Sequence, residues 1–376
     1  MEDDSKTVVV IDNGSDTIKA GFAGDDAPRK IFPSYVGYTK KSPINLAMDE
    51  KNFYVGNEAI EKRGRLDMKQ PFIDSLVADW KEAEDAWAYT FYNALKICPE
   101  EVYAVITESP INPKKYRERT VETLFELFNL EGVYLASKSL LSLYSTGRTT
   151  GCVIDSGKGM SFSVPVYEGY SSPHNILSLN VGGRHLDNYL NKILLEKGYE
   201  FTTPTELELL SKIKEDLCSV CVEKKHISTK KRIMKEDPQN YYLPDDSVVR
   251  LASEKYMVPE IMFNPELIGV NQPGIHENCF VSIMKTNTEI RSDMFENIIL
   301  AGGNTLFKGM KERLQEEIEE FAPTKTRVVI TDNEERKYSS WIGGSIIGNI
   351  DTFQYLCISK KDYDEFGSNI VNDKIF

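Results

Sequence analysis

The chain has 376 residues, 41 % of them hydrophobic and 27 % charged, with a net charge of −13. That length allows two domains or one large two-lobed one, and the acidic balance disfavours bulk attraction to nucleic acid or anionic membranes. No apolar run approaches the roughly eighteen residues of a membrane span, the opening MEDDSKT lacks a secretory pattern, and six scattered cysteines suit a reducing compartment. In chain order, "VVVIDNGSDTIKAGFAG" (8–24) reads as a strand, an Asp-x-Gly turn and a return strand. Residues 39–52 read as a surface loop. Residues 102–107 read as a buried strand, followed by a helix capped by Asn112 with Pro113 in its first turn. Val121, Leu124, Phe125 and Phe128 form its apolar stripe.

"GCVIDSGKGMSFSVPVYEG" (151–169) then repeats the first unit, with Lys158 in its turn. Leu186, Leu190, Ile193 and Leu194 mark a helix after Gly182 and Gly183. Thr203, Pro204 and Glu206 form a capping box with a first-turn proline. Leu210, Ile213, Leu217, Val220 and Cys221 recur at helical spacing, so Cys218 and Cys221 read as core; with His226 they lack the second ligand pair that zinc requires. Residues 224–235 (KKHISTKKRIMK) are a local basic run, either a solvated face or a docking site. A third strand-turn-helix spans 297–314, with Gly302 and Gly303 at its turn. Such alternation predicts α/β layers, and the repeat predicts two similar halves beginning near residues 7 and 151.

Strand-glycine turns expose backbone N–H groups that can surround a phosphate. Two facing turns would grip phosphates from both sides. Asp12 and Asp155, ending their strands, suit a hydrated Mg²⁺ held through water, and Lys19 could add a point charge. A single Asp-x-Gly would read as a tight turn; two matched copies and a third double-glycine turn favour a nucleotide cleft.

The stretches DNGSDTIKAGFAGDDAPRKIFPS, TESPINPKKYRER, LSLYSTGRTTG, VPVYEGY, AGGNTLFKGM and ERKYSSWIGGSI closely resemble the actin family, and the resemblance runs the whole length. It implies an α/β, two-lobed fold of duplicated ribonuclease-H-like domains around a central nucleotide cleft. The outer lobe would hold residues 1–145 and 338–376, with a small subdomain at about 34–70. The inner lobe would hold 146–337, with a small subdomain at about 182–270. The ligands implied are ATP or ADP with Mg²⁺ or Ca²⁺.

By the same resemblance, Asp12, Asn13, Gly14, Ser15 and Lys19 belong to the first phosphate loop. Asp155, Gly157 and Gly159 belong to the second. Gly183, Lys214 and Glu215 match adenosine-side positions, while Gly302, Gly303 and Lys337 lie around the base. A partner groove matches at Tyr144, Gly147, Thr149 and Gly169, and again at Ile347, Thr352 and Leu356. It implies actin-family subunits or actin-binding proteins as partners, in a helix-in-groove mode, with neither nucleic acid nor a membrane span. The implied location is cytoplasmic and cytoskeletal, with the nucleus left open.

The chain departs from the family where water is positioned for hydrolysis. Lys138 stands in place of a glutamine and Phe162 in place of a histidine. Asp16 replaces a glycine and Lys158 an acidic residue, which raises an Asp16–Lys158 ion pair as an expectation. Asp74 replaces a characteristic histidine, and the 39–52 loop differs from the usual polymer-contact sequence. Phosphoryl transfer depends on positioning, and neither phenylalanine nor an ammonium can accept a hydrogen bond from water. The expectation is a nucleotide-binding, actin-related interaction protein with weakened hydrolysis. The alternative is a divergent actin that polymerises and hydrolyses ATP. A sugar kinase or chaperone sharing the two-loop cleft is opposed by the actin-specific motifs.

Overall fold

The computed structural model describes residues 7–40, 51–222 and 238–374. Most of the 39–52 loop, the basic run 224–235 and His226 therefore lie outside the described residues. The chain divides into two compact units, Met1–Thr149 with Tyr338–Phe376, and Thr150–Lys337.

The first unit is built on a six-stranded mixed sheet. Its main strands are β1 (Val8–Asn13), β2 (Thr17–Phe22), β3 (Lys30–Pro33), β4 (Tyr103–Glu108) and β5 (Gly132–Ser137). Their order is β5-β4-β1-β2-β3, with the short strand Ile358–Ser359 added outside β5. β4 runs parallel to both β1 and β5, and β1 is buried along nearly all its length. A run such as VVVI suits a strand covered on both faces. Helix α1 (Lys114–Glu126) joins β4 to β5 and buries Val121, Leu124 and Phe125, with Phe128 just beyond it. Its N-cap is Pro113, one residue later than the sequence suggests. The Asn112 amide instead donates to Glu108 Oε2 at 2.9 Å, which takes it out of the capping role.

Helix α2 (Lys138–Tyr144) leaves β5 and packs against the helix Ser339–Gly348. A Cβ on Gly343 would lie 1.8 Å from the Leu141 carbonyl oxygen, so only glycine lets these helices approach this closely. The Ser339 and Ser142 hydroxyls bond at 2.9 Å, and the Trp341 indole donates to Val10 O at 3.1 Å. These contacts tie α2 to β1.

The second unit has a five-stranded sheet. Its strands are β6 (Gly151–Ser156), β7 (Ser161–Val166), β8 (Leu177–Leu179), β9 (Ile298–Ala301) and β10 (Ile330–Thr331). The order is β8-β7-β6-β9-β10. Helix α3 (Gly183–Glu196) buries Leu186, Leu190, Ile193 and Leu194. Helix α4 (Pro204–Leu217) begins with the expected capping box on Thr203 and Glu206. It ends at Leu217, so Val220 reaches the core from the extended segment after the helix rather than from the helical face expected for it. There Ser219 bridges Lys308, and that pairing supplies the backbone bonds that more helix would have made. Helix α5 (Met310–Phe321) follows β9 and buries Met310, Leu314 and Ile318.

The repeat is a repeat of register as well as of sequence. In the β1–β2 hairpin Asp12 faces Lys19, and in the β6–β7 hairpin Asp155 faces Phe162. Both hairpins keep the aspartate one residue from the end of the first strand. Lys19 and Phe162 are thus counterparts, one an ammonium and the other a hydrocarbon ring.

Candidate functional site

In the first unit the parallel register β1–β4–β5 sets the site. Ile11 aligns with Ile106, and Thr107 with Ala136, so Asp12, Thr107 and the start of α2 meet at one end of the sheet. The Thr107 hydroxyl donates to Asp12 Oδ1 at 2.8 Å, and Lys19 Nζ donates to Oδ2 at 2.8 Å. Lys138 Nζ lies 3.5 Å from Oδ1 and donates to the Asn13 carbonyl oxygen at 2.5 Å. Asp12, Lys19 and Lys138 are all buried. Burial alone would raise the Asp12 carboxyl, but the two ammoniums, with the bonds from Lys19 and Thr107, hold it well below the usual carboxylate range.

The turn itself is braced from several sides. The Trp87 indole donates to Asn13 Oδ1 at 3.1 Å, and Asn13 N donates to Thr107 Oγ1 at 3.0 Å. A Cβ on Gly14 would meet Thr17 O at 2.4 Å, so the turn closes only with glycine there. Ser15 Oγ accepts from Ser75 N at 3.2 Å. Asp74 and Ser75 both have positive φ, 51° and 64°, in the hairpin that makes this contact. Asp74 thus lies beside the residue that touches the first turn. Asp16 is exposed.

In the second unit the turn after β6 is enclosed by two others. Gly183 N donates to Gly157 O at 2.9 Å, and Arg184 N to Lys158 O at 2.8 Å. The Asn304 amide donates to Gly157 O at 2.6 Å and to Ser156 Oγ at 3.1 Å. Gly302 has φ +83°, and a Cβ there would lie 2.3 Å from Ser156 O and 2.7 Å from Asp155 Oδ1. Gly302 N donates to Arg336 O at 3.1 Å, which brings the segment carrying Lys337 to the same place. Asp155, Gly157, Gly183, Gly302 and Lys337 are therefore neighbours in sequence or space, and Gly159 packs its carbonyl beneath Gly182. Phe162 is buried, 4 % exposed.

Lys158 has partners inside its own unit. Its Nζ donates to Asp187 Oδ2 at 2.9 Å and to Ser211 Oγ at 3.1 Å. Lys214 Nζ lies 2.8 Å from Asp187 Oδ1, with its side chain only 4 % exposed. Burial pushes the Asp187 carboxyl up, but Lys214 and Lys158 outweigh it and leave the group lowered. Lys214 is thus drawn to α3, while Glu215 beside it is exposed. Sequence reasoning missed Asp187, Ser211, Asn304, Thr107 and Trp87. One signal was present: Ser211 and Lys214 stand three apart on α4, on one helical face.

Of the groove residues in the first unit, Tyr144 and Ile347 pack on one cluster with Leu141, Trp341, Phe353 and Cys357. Gly147 has φ +72°, Thr352 and Leu356 are exposed, and Thr149 closes the first unit's long segment. Gly169, at φ +82°, belongs to the second unit.

The donor set at Asp12 fits a hydrated divalent cation poorly, because two ammoniums already offset its charge. Such an ion needs acceptors and negative charge for its waters, and this carboxylate is already met by three donors, two of them cationic. Among the described residues no group of three or more His, Cys, Asp or Glu side chains could hold a metal ion. Compared with known families, the chain matches the family model described as Actin over residues 3–376.

Proposed function

Because this chain belongs to the actin family, matched from residue 3 to residue 376, we propose that it binds adenine nucleotide, turns it over slowly and serves as an interaction subunit. Its mixed α/β sheets agree with the family's fold. Members of the family generally bind ATP or ADP with a divalent cation, associate with actin-type subunits or actin-binding proteins, and are generally cytoskeletal or cytoplasmic. Among the described residues no helix is long and apolar enough to cross a membrane.

The observation that carries the reading is the engagement of Lys138. A glutamine offers water both a donor and an acceptor, whereas an ammonium only donates. Here that ammonium is bonded to Asn13 O and drawn to Asp12. Phe162, facing Asp155 across its hairpin, offers water nothing. Losing such positioning typically lowers a hydrolysis rate by about 10²–10⁴. The phosphate-side residues Asn13, Gly14 and Ser15, and Gly157 and Gly159, supply binding through backbone N–H groups. Lys214, Glu215, Gly302, Gly303 and Lys337 supply the adenosine side.

The test is single-turnover phosphate release from bound ATP. Lys138→Gln with Phe162→His raises it, and release by the unmodified protein as fast as by an ordinary actin filament overturns the proposal. A second reading, self-assembly into filaments, is favoured by exposed apolar side chains on the first unit, with Tyr355 84 % and Leu356 37 % exposed. High-speed sedimentation at micromolar concentration separates the two, since a weak self-associator stays in the supernatant.

A further inference from the structure

The Asp12 cluster says how the nucleotide's charge is met, an inference that rests on the nucleotide-binding reading above. Two ammoniums and one carboxylate leave the cluster with a formal charge of +1, in a buried place where screening is weak. Each ammonium has three N–H donors. Lys19 spends one on Asp12 Oδ2, and Lys138 directs one to Asn13 O and one toward Asp12 Oδ1. Both therefore keep at least one donor for a further oxygen.

That combination repels a hydrated dication and suits a polyphosphate, which needs cations and donors. The bond to Asn13 O also fixes Lys138 Nζ at the base of the turn that continues through Gly14. We propose that Lys138 and Lys19, held on Asp12, take over the divalent cation's part in neutralising the phosphates, so that this chain retains adenine nucleotide without divalent metal. Asp12 then acts as the anchor that positions two lysines.

The experiment loads the full chain with etheno-ATP and follows its release against excess ATP, in Mg²⁺ and in EDTA. In the unmodified protein EDTA changes the release rate by less than about threefold, whereas in Lys138→Gln it accelerates release by roughly tenfold or more. Lys138→Arg keeps the charge and stays insensitive to EDTA. Acceleration by about tenfold in the unmodified protein overturns the inference alone, and so does a Lys138→Gln protein that gains no sensitivity. Failure to bind etheno-ATP even in Mg²⁺ overturns the nucleotide reading and this inference with it. A readout that needs no variant is the rise in unfolding temperature given by ATP. It is the same with and without EDTA if the lysines suffice, and its loss in EDTA overturns the proposal.

Discussion

Lys158 and Asp187 form an ion pair at 2.9 Å within the second unit, and Lys214 holds the other oxygen of the same carboxylate. One acid thus serves two lysines that differ in exposure, 29 % for the Lys158 side chain and 4 % for Lys214. Asp187→Asn strands the buried Lys214 ammonium, and removing one partner of a buried pair costs about 3–5 kcal/mol. Lys158→Ala leaves the Lys214 pair intact and removes a partly solvated contact worth about 0–1 kcal/mol. Urea unfolding monitored by circular dichroism checks the contrast. Equal losses for the two variants contradict the assignment of Lys214 as the dominant partner.

Acid sensitivity follows from the same chemistry. Asp12 and Asp187 both titrate lower in the folded protein than in the unfolded chain. Their contribution to stability is therefore fully present above the ordinary aspartate pKa of about 3.9 and lost as pH falls below it. Unfolding free energy is expected to hold steady from neutral pH down to about 5 and to drop steeply below about 4. In Asp12→Asn, less stable at neutral pH because the buried Lys19 and Lys138 ammoniums then lack their shared counter-charge, the acid limb is shallower. An unchanged acid slope in that variant removes Asp12 as a source of the effect.

The duplicated hairpin was legible because Asp-x-Gly turns and apolar runs are local signals, and the register that places Asp12 opposite Lys19 follows from turn length. The capping box at Thr203 was legible for the same reason. What Lys138 touches was not. Its approach to Asn13 depends on the parallel pairing of three strands and on a glycine contact from a helix about two hundred residues downstream. No local pattern carries that information. Asp187 is likewise one polar position on an amphipathic helix; the packing of α3 on α4 brings Ser211 and Lys214 to it, and the turn after β6 brings Lys158. Helix ends misled by one to four residues where another bond competed, a local one to Glu108 at Asn112 and a long-range one to Lys308 at Val220.

Gly343→Ala tests the link from packing to site. The new methyl would sit 1.8 Å from a backbone oxygen of Leu141, which has no flexible side chain to yield. The helices must separate, at a cost of about 1–3 kcal/mol for overpacking. Because α2 carries Lys138 at its first residue, the shift also loosens the bond to Asn13 O. Lower stability together with faster, EDTA-sensitive release of etheno-ATP is expected. Lower stability with unchanged release separates the helix contact from the site.

Gly302 and Gly303 distinguish a glycine needed by the fold from one needed by a ligand. Gly302 has φ +83°, and its missing Cβ would strike Ser156 O. Gly302→Ala therefore suffers both backbone strain and a clash, and is expected to destabilise by well over the roughly 1 kcal/mol of strain alone. Gly303 has nothing within 4 Å of a built Cβ. The protein itself does not require glycine there, so Gly303→Ala should unfold at nearly the parent temperature. If the open side of Gly303 faces the adenine base, as the adenosine-side assignment holds, the added methyl lies where the base must pack. Affinity for etheno-ATP then falls about tenfold or more while stability without nucleotide is unchanged. A Gly303→Ala protein that binds as tightly as the parent places the base elsewhere and removes Gly303 from the site.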